Sequence, residues 1–391
     1  GRLGMKSEWT YRPLGELVSF ASGGTPSKKR DDYWGGTIPW ISAKTLKTEN
    51  IDTSDLFITE EGLKAGSKIA PKGSILLLTR GSGLFNGIPI ARVEKDVAFN
   101  QDIKCLDSYG EVENEFIFYW LLSQKDYLMA KVGVTGIGAG KFDLDFLQKL
   151  MIPIPSERER KSIVGFASSI SEKIRCNAKV NDNLADLLQT VYQERFGDTS
   201  LIANQGILSD ICSYSRDKVA VSELNVSTYF STENMLSGKA GSTEATSLPT
   251  TSQTTACHKG DTLISNIRPY FKKIVYCEDN CGCSTDVLCF TPSQPRYSAY
   301  LFSTLYADKF FAFMVAGSKG TKMPRGDKQQ IMTYPVVLPS EEELAGFNTI
   351  ASPLLEQIYS NSAENKRLSI LRDTLLPKLM SGEIDVSAIQ L

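Results

Sequence analysis

Histidine is nearly absent from this chain, since His258 is the only one in 391 residues. That count excludes a metal site with two histidine ligands, and it argues against mechanisms built on histidine as general base. Long apolar runs are missing too, because no stretch approaches the roughly 20 residues of a membrane span. The first residues carry Lys6, Glu8 and Arg12 where a secretory signal would be apolar. We therefore expect a soluble, cytoplasmic protein with no membrane partner.

A surplus of charge is also lacking, because 43 Lys and Arg stand against 45 Asp and Glu. Net charge therefore names no partner, and any contact with a polyanion must come from local basic patches. The eight cysteines are too few for a disulfide scaffold in so long a chain. Cys277, Cys281, Cys283 and Cys289, with Cys257 upstream, are either metal ligands or buried thiols. Their spacing matches no standard zinc motif, which favours buried thiols and no metal.

A glycine-rich stretch, "VGVTGIGAGKFD" (132–143), invites comparison with nucleotide-binding loops. A phosphate loop needs a glycine five places before Gly140 and a hydroxyl after Lys141, but the chain has Thr135 and Phe142 there. The dinucleotide fingerprint fails as well, since Lys141 occupies the place of its third glycine. The stretch therefore matches neither of these nucleotide-binding motifs.

The chain repeats itself at a distance of 184 residues, without a gap. The offset carries "PSERE" (155–159) onto "PSEEE" (339–343). It also relates these pairs: Asp102 and Asp286, Gly133 and Gly317, Lys141 and Arg325, Asp143 and Asp327, Asn177 and Asn361, and Asn181 and Asn365. Such self-similarity indicates two copies of one structural plan, each a strand-rich block followed by a periodic segment. In both copies the glycine-bearing loop keeps a turn, a cation and an aspartate suited to start a helix.

The periodic segments 156–196 and 340–380 predict two long helices with a coiled-coil-like seam. Their seam residues recur at three- and four-residue steps: Ile163, Phe166, Ile170, Ile174, Leu184, Leu187 and Val191, then Phe347, Ile350, Leu354, Ile358, Leu368, Leu371 and Leu375. About 40 helical residues span about 60 Å and need a partner for the apolar stripe. We expect the helices to lie antiparallel about a pseudo-twofold axis. The paired asparagines either fix the register of this seam or face solvent.

Several loops combine basic and amide side chains with glycines and aromatic residues. Arg and Lys can neutralise phosphates or read guanine, Asn and Gln can read adenine, and glycine lets backbone amides approach a phosphate. Solvated loops often have this composition. The stronger indication is that such loops occur in both copies of the repeat, as contact with two half-sites on a duplex would require. The candidate DNA-binding residues are Lys28, Lys29, Lys44, Lys47, Arg80, Ser82, Asn86, Asn100, Gln101, Thr135, Gly136, Lys141, Ser265, Asn266, Arg268, Tyr270, Lys272, Lys319, Lys322 and Arg325.

Five stretches carry a resemblance to a known family. They are "GELVSFASGGTPSKKRDDYWGGTIPWISAKTLK" (15–47), "YFSTENM" (229–235), "KGDTLISNIRPYFKK" (259–273), "STD" (284–286) and "ENKRLSILRDTLLPKLMSGEI" (364–384). In them the chain resembles the specificity (S) subunits of type I restriction-modification systems. The resemblance implies a non-catalytic subunit in phage defence, whose two target-recognition domains each bind one part of a split double-stranded DNA sequence.

The same resemblance implies partner subunits. The two conserved helices would hold the recognition domains apart and dock two methyltransferase (M) subunits, through Leu184, Leu187, Val191, Leu368, Leu371 and Leu375. S-adenosylmethionine, ATP and Mg would bind to the M subunits and to restriction (R) subunits, with no cofactor or metal on this chain.

The predicted fold class is α+β, with two strand-rich recognition domains separated by two long antiparallel helices in a pseudo-twofold repeat. The predicted boundaries are 1–155 for the first recognition domain, 156–200 for the first helical spacer, 201–339 for the second recognition domain and 340–391 for the second spacer. Two alternatives stay open: a two-fold protein scaffold that binds no DNA, and a nucleotide-using enzyme built on Gly136 to Lys141. Salt-dependent DNA binding separates the first from a specificity subunit, and ATP binding tests the second.

Overall fold

The computed structural model describes residues 9–85, 87–134, 140–197 and 204–386. The chain divides into two units, which are Gly1–Ile174 with Lys366–Leu391, and Arg175–Asn365. Each unit mixes strands and helices, as the α+β prediction requires. Each also takes one half of both long helices, so neither helix forms a unit of its own.

The first unit contains fourteen described strands and the start of the first long helix. Its strands are β1 (Thr10–Pro13), β2 (Val18–Ser22), β3 (Trp34–Ile41), β4 (Asn50–Ile51), β5 (Phe57–Ile58), β6 (Lys68–Ala70), β7 (Ile75–Leu78), β8 (Arg80–Gly81), β9 (Ile90–Val93), β10 (Val97–Phe99), β11 (Ile103–Ser108), β12 (Gly133–Val134), β13 (Gly140–Lys141) and β14 (Met151–Ile154). Its helices are α1 (Leu14–Leu17), α2 (Glu60–Gly66), α3 (Asn114–Ser123), α4 (Lys125–Met129), α5 (Leu144–Gln148) and the first half of α6 (Glu157–Phe196).

The second unit holds ten described strands. They are β15 (Gln205–Ile207), β16 (Cys212–Tyr214), β17 (Lys218–Ala220), β18 (Tyr229–Phe230), β19 (Gln253–Cys257), β20 (Thr262–Ser265), β21 (Ile274–Tyr276), β22 (Cys281–Cys283), β23 (Val287–Pro292) and β24 (Pro335–Val337). Its helices are α7 (Ser298–Tyr306), α8 (Asp308–Ala316), α9 (Lys328–Ile331) and the first half of α10 (Glu341–Met380).

The two units share the core of one topology. A central sheet has the strand order β2-β11-β7-β9-β4 in the first unit and β16-β23-β20-β21 in the second. A second sheet has the order β5-β3-β10-β6 in one and β18-β22-β19-β17 in the other, with β10 parallel to β3 and β22 parallel to β18. In both central sheets the middle strand, β7 or β20, is buried along its whole length, which explains the apolar run in "GSILLLTRG".

Both long helices begin and end 184 residues apart, since α6 spans 157–196 and α10 spans 341–380. Each begins with a capping box: the Ser156 N–H donates to the Glu159 carboxylate at 2.9 Å, and the Ser340 N–H donates to Glu343 at 2.8 Å. The repeated stretches "PSERE" and "PSEEE" are therefore helix start signals in both copies. The shorter helices α5 and α9 are likewise capped by Asp143 and Asp327, as predicted.

Within each unit the two long helices contribute opposite ends to one core. In the first unit Ile163 and Ala167 of α6 lie in the same apolar cluster as Leu376 and Leu379 of α10, all almost fully buried. In the second unit the end of α6 meets the start of α10, through Leu188, Tyr192 and Phe196 beside Leu344 and Phe347. The helices therefore pack antiparallel, as the repeat predicted.

The predicted seam is wrong at three positions. Leu187 and Leu371, which the 184-residue offset relates, are 47% and 46% exposed, and Ile350 is 38% exposed. The buried position beside Leu187 is Leu188, at 1% exposure, so the packed face is rotated by one residue there. The sequence could not fix this rotation, because neighbouring apolar residues fit the same helical period.

The paired asparagines lie inside the second unit and face each other. The Asn177 amide donates to Asn365 Oδ1 at 2.9 Å, and the Asn361 amide donates to Asn181 Oδ1 at 2.8 Å. Asn177 and Asn361 are 4% and 8% exposed, so they are seam residues and do not face solvent. Because a buried amide costs free energy unless it is paired, these contacts favour one register of the two helices.

Candidate nucleic-acid interface

The glycine-bearing loop of the first unit is tied to the end of its central buried strand. The Thr79 N–H donates to the Asp102 carbonyl at 2.8 Å, and the Phe142 N–H donates to the Thr79 carbonyl at 2.9 Å. Lys141 of β13 lies opposite Arg80 of β8, because these two antiparallel strands are neighbours in the small sheet β12-β13-β8. Two exposed cations, 61 positions apart in sequence, are thus side by side.

The second unit repeats this arrangement with different residues. The Asn266 N–H donates to the Asp286 carbonyl at 2.8 Å, and the Gly326 N–H donates to the Asn266 carbonyl at 3.3 Å. Two of these positions, Asp286 and Gly326, correspond to Asp102 and Phe142 of the first unit by the 184-residue offset. The same backbone frame therefore presents the glycine-bearing loop in both copies.

A serine turn after the parallel strand lies in the same position in both units. The Ser42 N–H donates to Thr45 Oγ1 at 2.8 Å after β3, and the Ser231 N–H donates to Asn234 Oδ1 at 2.6 Å after β18. In the first unit this turn neighbours the cations, because a Cβ on Gly81 would lie 3.9 Å from Ala43. These turns explain the "SAKT" and "STEN" motifs as local side-chain to backbone hydrogen bonds.

A strained turn carries two exposed aromatic rings in the second unit. Arg268 and Lys272 have φ of +50° and +51° around the short 3₁₀ turn Pro269–Phe271. Tyr270 and Phe271 are 49% and 38% exposed, and their ring centroids are 4.7 Å apart. Left-handed conformations at bulky residues cost about 1–3 kcal/mol each and concentrate at functional sites.

The strained turn is held by a carboxylate between two lysines. Asp308 Oδ1 lies 2.9 Å from Lys272 Nζ and 2.8 Å from Lys239 Nζ, and these hydrogen bonds lower the pKa of Asp308 to about 2. Lys239 itself has φ of +63°. Ion pairs thus compensate part of the backbone strain, and Lys272 is engaged within the unit.

The structure sorts the predicted DNA-binding residues by exposure. The exposed ones are Lys28, Lys29, Lys44, Lys47, Arg80, Ser82, Gln101, Lys141, Tyr270, Lys319, Lys322 and Arg325. Arg268 and Lys272 are half-buried, and Asn100, Ser265 and Asn266 are buried. Asn86, Thr135 and Gly136 lie outside the described residues.

The buried candidates lie beneath the surface of the protein and are not accessible to DNA. Asn100 is 5% exposed and its amide donates to the Asp102 carboxylate at 3.2 Å. Ser265 and Asn266, at 2% and 7% exposure, lie on or directly after the buried strand β20. Asn100 and Asn266 therefore support the loops through hydrogen bonds from inside the unit. Their residue type alone did not reveal that they are buried.

Sequence reasoning missed the carboxylates among the cations. Arg325 Nη2 lies 3.0 Å from Asp286 Oδ1, and Lys319 Nζ lies 2.5 Å from Asp327 Oδ2. The available signals were the matches of Asp102 with Asp286 and of Asp143 with Asp327 across the repeat. The cations of this surface are therefore oriented by neighbouring acids.

Five cysteines of the second unit form part of one apolar core. Cys257, Cys277, Cys281, Cys283 and Cys289 are each at most 6% exposed and pack with Met235, Leu263 and Val287. A hydrogen bond with Cys281, together with burial, raises the pKa of Cys277. Within the described ranges no group of three or more His, Cys, Asp or Glu side chains is arranged to hold a metal ion.

A polar cavity of about 300 Å³ opens in the first unit, beside helix α6. Next to it Arg372 donates to both oxygens of Glu49, at 2.6 and 3.0 Å, and to Ser171 Oγ at 3.0 Å. Lys125 Nζ lies 3.2 Å from Glu49 as well. The single carboxylate of Glu49 thus contacts two cations, and its ion pair with Arg372 joins helix α10 to the strand-rich part of this unit.

Comparison with known proteins identifies a matching family model. Residues 6–185 match the model described as the type I restriction modification DNA specificity domain. Among the described residues, no helix has both the length and the apolar character needed to cross a membrane.

Curated relatives and a solved structure are similar to the chain. The specificity subunit of the type I restriction enzyme EcoR124I/EcoR124II of Escherichia coli is 31% identical over 161 residues, which are 41% of this chain and 40% of that protein. The chain thus aligns with less than half of that relative's length. The MjaIX specificity subunit of Methanocaldococcus jannaschii is 24% identical over 97% of this chain and 94% of its own. The crystal structure of the S subunit from M. genitalium has a TM-score of 0.57, 18% identity, and coverage of 97% of this chain and 98% of that one.

Proposed function

We propose that this chain is the DNA-reading subunit of a type I restriction-modification enzyme, because residues 6–185 match the family model described as the type I restriction modification DNA specificity domain. Each unit reads one half of a bipartite double-stranded target. The chain itself catalyses no reaction. S-adenosylmethionine, ATP and Mg bind to its methyltransferase and restriction partners.

One observation carries the proposal: the same frame, a buried strand end tied to a glycine-bearing loop, presents exposed cations in both units. In the first unit these are Arg80 and Lys141, and in the second Lys319, Lys322 and Arg325. Cations held on a rigid backbone suit contacts to phosphates and base edges, because positioning and readout both need fixed geometry. Two similar but non-identical frames suit a target whose halves differ in sequence.

DNA binding is tested with the loop of the second unit. We expect Lys319→Ala, Lys322→Ala and Arg325→Ala together to abolish recognition of one half-site and to flatten the salt dependence of binding by roughly one unit of slope per lost phosphate contact. A control with Lys218→Ala and Lys259→Ala removes two exposed lysines outside the loop and should leave binding unchanged.

Two results would contradict the proposal. Equal loss in the control and the loop variant would indicate non-specific electrostatics. Absence of any salt-dependent duplex binding, with partner proteins still bound, would favour the alternative of a protein scaffold without DNA.

Partner docking is proposed for the exposed helix leucines. Leu187 and Leu371 are related by the repeat and almost equally exposed, at 47% and 46%, and covering these apolar side chains with a partner would be favourable. Half-buried Leu184, Val191, Leu368 and Leu375 lie within one turn of them. Two matching positions suit two identical methyltransferase subunits.

Replacing both exposed leucines by glutamate tests the docking. Each leucine contributes roughly 1.5–3 kcal/mol when fully buried, and about half of that is already gained in the free chain. With one leucine at each docking position, Leu187→Glu with Leu371→Glu should weaken the binding of each methyltransferase subunit by roughly 10-fold or more, because burying a glutamate charge adds to the lost apolar contact. Helicity should stay intact, because both side chains are already half in water. The matched control is Thr190→Glu with Thr374→Glu, which adds the same charges on exposed residues and should change binding only a few-fold; equal loss in both would refute a role for the leucines.

A further inference from the structure

We propose that Arg325 and Asp286 together read one G·C base pair in the half-site of the second unit. In this arrangement the guanidinium donates to guanine O6 and N7, and the carboxylate accepts from the cytosine N4 amine. The inference rests on the proposed function and deepens it, since it names the base pair and the atoms that recognise it.

The backbone of Arg325 is clamped on two sides. Its N–H donates to the Lys319 carbonyl and its carbonyl accepts from the Lys319 N–H, both at 2.9 Å. On the other side it forms an antiparallel bridge with Ile267, next to the Arg268 N–H that donates to the Pro324 carbonyl at 2.8 Å. A residue held in this way presents its side chain from one fixed origin, which lowers the entropy lost on binding.

The side chain of Arg325 is also oriented. Its Nη2 lies 3.0 Å from Asp286 Oδ1, and the backbone of Asp286 is itself tied down by the Asn266 N–H at 2.8 Å. The arginine side chain is nevertheless 57% exposed and that of Asp286 is 36% exposed. An oriented guanidinium therefore faces solvent together with a free carboxylate oxygen.

This combination suits a base pair better than a phosphate. A carboxylate beside the arginine repels the phosphate backbone, since like charges a few ångströms apart are unfavourable. In the major groove, by contrast, guanine offers two acceptors and its cytosine partner offers an amine donor at the neighbouring edge. Arginine supplies the planar pair of donors for the first, and aspartate supplies the acceptor for the second.

The neighbouring lysines differ from Arg325. Lys322 is exposed, and Lys319 Nζ pairs with Asp327 at the start of α9 while its side chain stays 80% exposed. Lysine is a compact charge on a flexible stem, which suits phosphate contacts without base preference. We therefore assign sequence readout to Arg325 and phosphate contact to Lys322.

The first unit has a different residue at the position that corresponds to Arg325. The offset puts Lys141 where the second unit has Arg325, and the carboxylate of Asp102 accepts from the Asn100 amide at 3.2 Å. The Arg–Asp pair is thus particular to the second unit. Its base preference applies to one half of the target.

The experiment co-expresses the full chain with its methyltransferase partner and maps methylated adenines across a genome by sequencing. For the unaltered complex we expect an invariant G·C pair in one half of the target. Arg325→Ala should relax that position alone, lowering discrimination by about 10- to 100-fold, because one bidentate contact supplies that much specificity. Asp286→Asn keeps the arginine and should relax the same position more weakly. The matched control Lys322→Ala should lower methylation evenly at all positions.

The outcomes separate the inference from the function it rests on. If Arg325→Ala lowers methylation evenly, as Lys322→Ala does, Arg325 is a phosphate contact and the inference fails while the DNA-reading function stands. A target with no invariant G·C pair in either half also overturns the inference. If the unaltered complex methylates no defined sequence, the proposed function fails as well. Asp286→Asn removes only one charge from a partly exposed side chain, so relaxed specificity in both variants cannot be attributed to misfolding.

Discussion

Replacing Arg372 by leucine should destabilise the first unit specifically. The Arg372 side chain is 8% exposed and donates to both oxygens of Glu49. The offset relates Arg372 to Leu188, which is part of the apolar core of the second unit. One copy of the plan thus uses a buried ion pair where the other uses a leucine.

The expected cost follows from leaving Glu49 without its main partner. Breaking a buried pair by removing one partner typically costs 3–5 kcal/mol. The Glu49 side chain is 27% exposed and keeps Lys125 at 3.2 Å, so we expect a value near the lower end, about 3 kcal/mol. Replacing both residues by leucine should recover most of this loss, because it removes the stranded charge.

Tryptophan fluorescence reports this unit alone, since Trp9, Trp34, Trp40 and Trp120 all belong to the first unit. With a urea dependence of about 3 kcal/mol per molar, the fluorescence midpoint of Arg372→Leu should fall by about 1 M. The control Lys125→Ala removes a more exposed partner and should cost less than about 1 kcal/mol.

The pH dependence gives a second test of the same reasoning. Burial alone would raise the pKa of Glu49, but the charges of Arg372 and Lys125 outweigh it and hold the pKa below its usual value. The stabilisation is therefore complete above the unfolded pKa of about 4.3 and is lost as the pH falls through the lowered folded pKa. The difference between the unaltered chain and Arg372→Leu should shrink on acidification. Equal midpoints for Arg372→Leu and Lys125→Ala at neutral pH would refute the argument.

Three further predictions concern the second unit and the thiols. Asn361→Ala leaves Asn181 Oδ1 without its 2.8 Å donor, so it should lower the free energy of unfolding of the second unit by about 1–3 kcal/mol. Circular dichroism measures this transition, and an unchanged transition would mean that the asparagine pair does not stabilise the helices. The hydrogen bond to Asp217 raises the pKa of His258, so this pair stabilises the fold below pH 6.5, and its contribution is lost as the pH rises through the folded pKa. Asp217→Asn should therefore lower the midpoint of the pH titration of the single imidazole NMR signal. An unmoved midpoint would exclude the pair in solution. Cys176 is the one exposed thiol among the eight, so a thiol reagent should label about one group in the native protein and seven more after unfolding, and fast labelling of several would contradict the buried core.

The cations of the candidate interface show how far sequence reasoning reached. Lys141 and Arg325 could be proposed because both stand at the same position of the repeat, and both are exposed. Asn100 and Asn266 were proposed because amide side chains can read adenine. Both are buried, because the burial of a side chain depends on what packs over it. Asp286 was matched in the repeat yet not assigned a role, since its contact with Arg325 joins residues 39 positions apart.

The sequence by itself determined the features that are local or periodic. The two 40-residue helices depend on the periodic pattern within each segment, and the structure has them where the pattern and the 184-residue repeat predicted. The capping boxes found at their starts are also local, since each joins residues three positions apart. Only the tertiary structure decided which face of each helix is packed, how the asparagines pair and which acids orient the cations. These depend on contacts between residues distant in the chain, and a shift of one residue in a helix changes which side chain is buried.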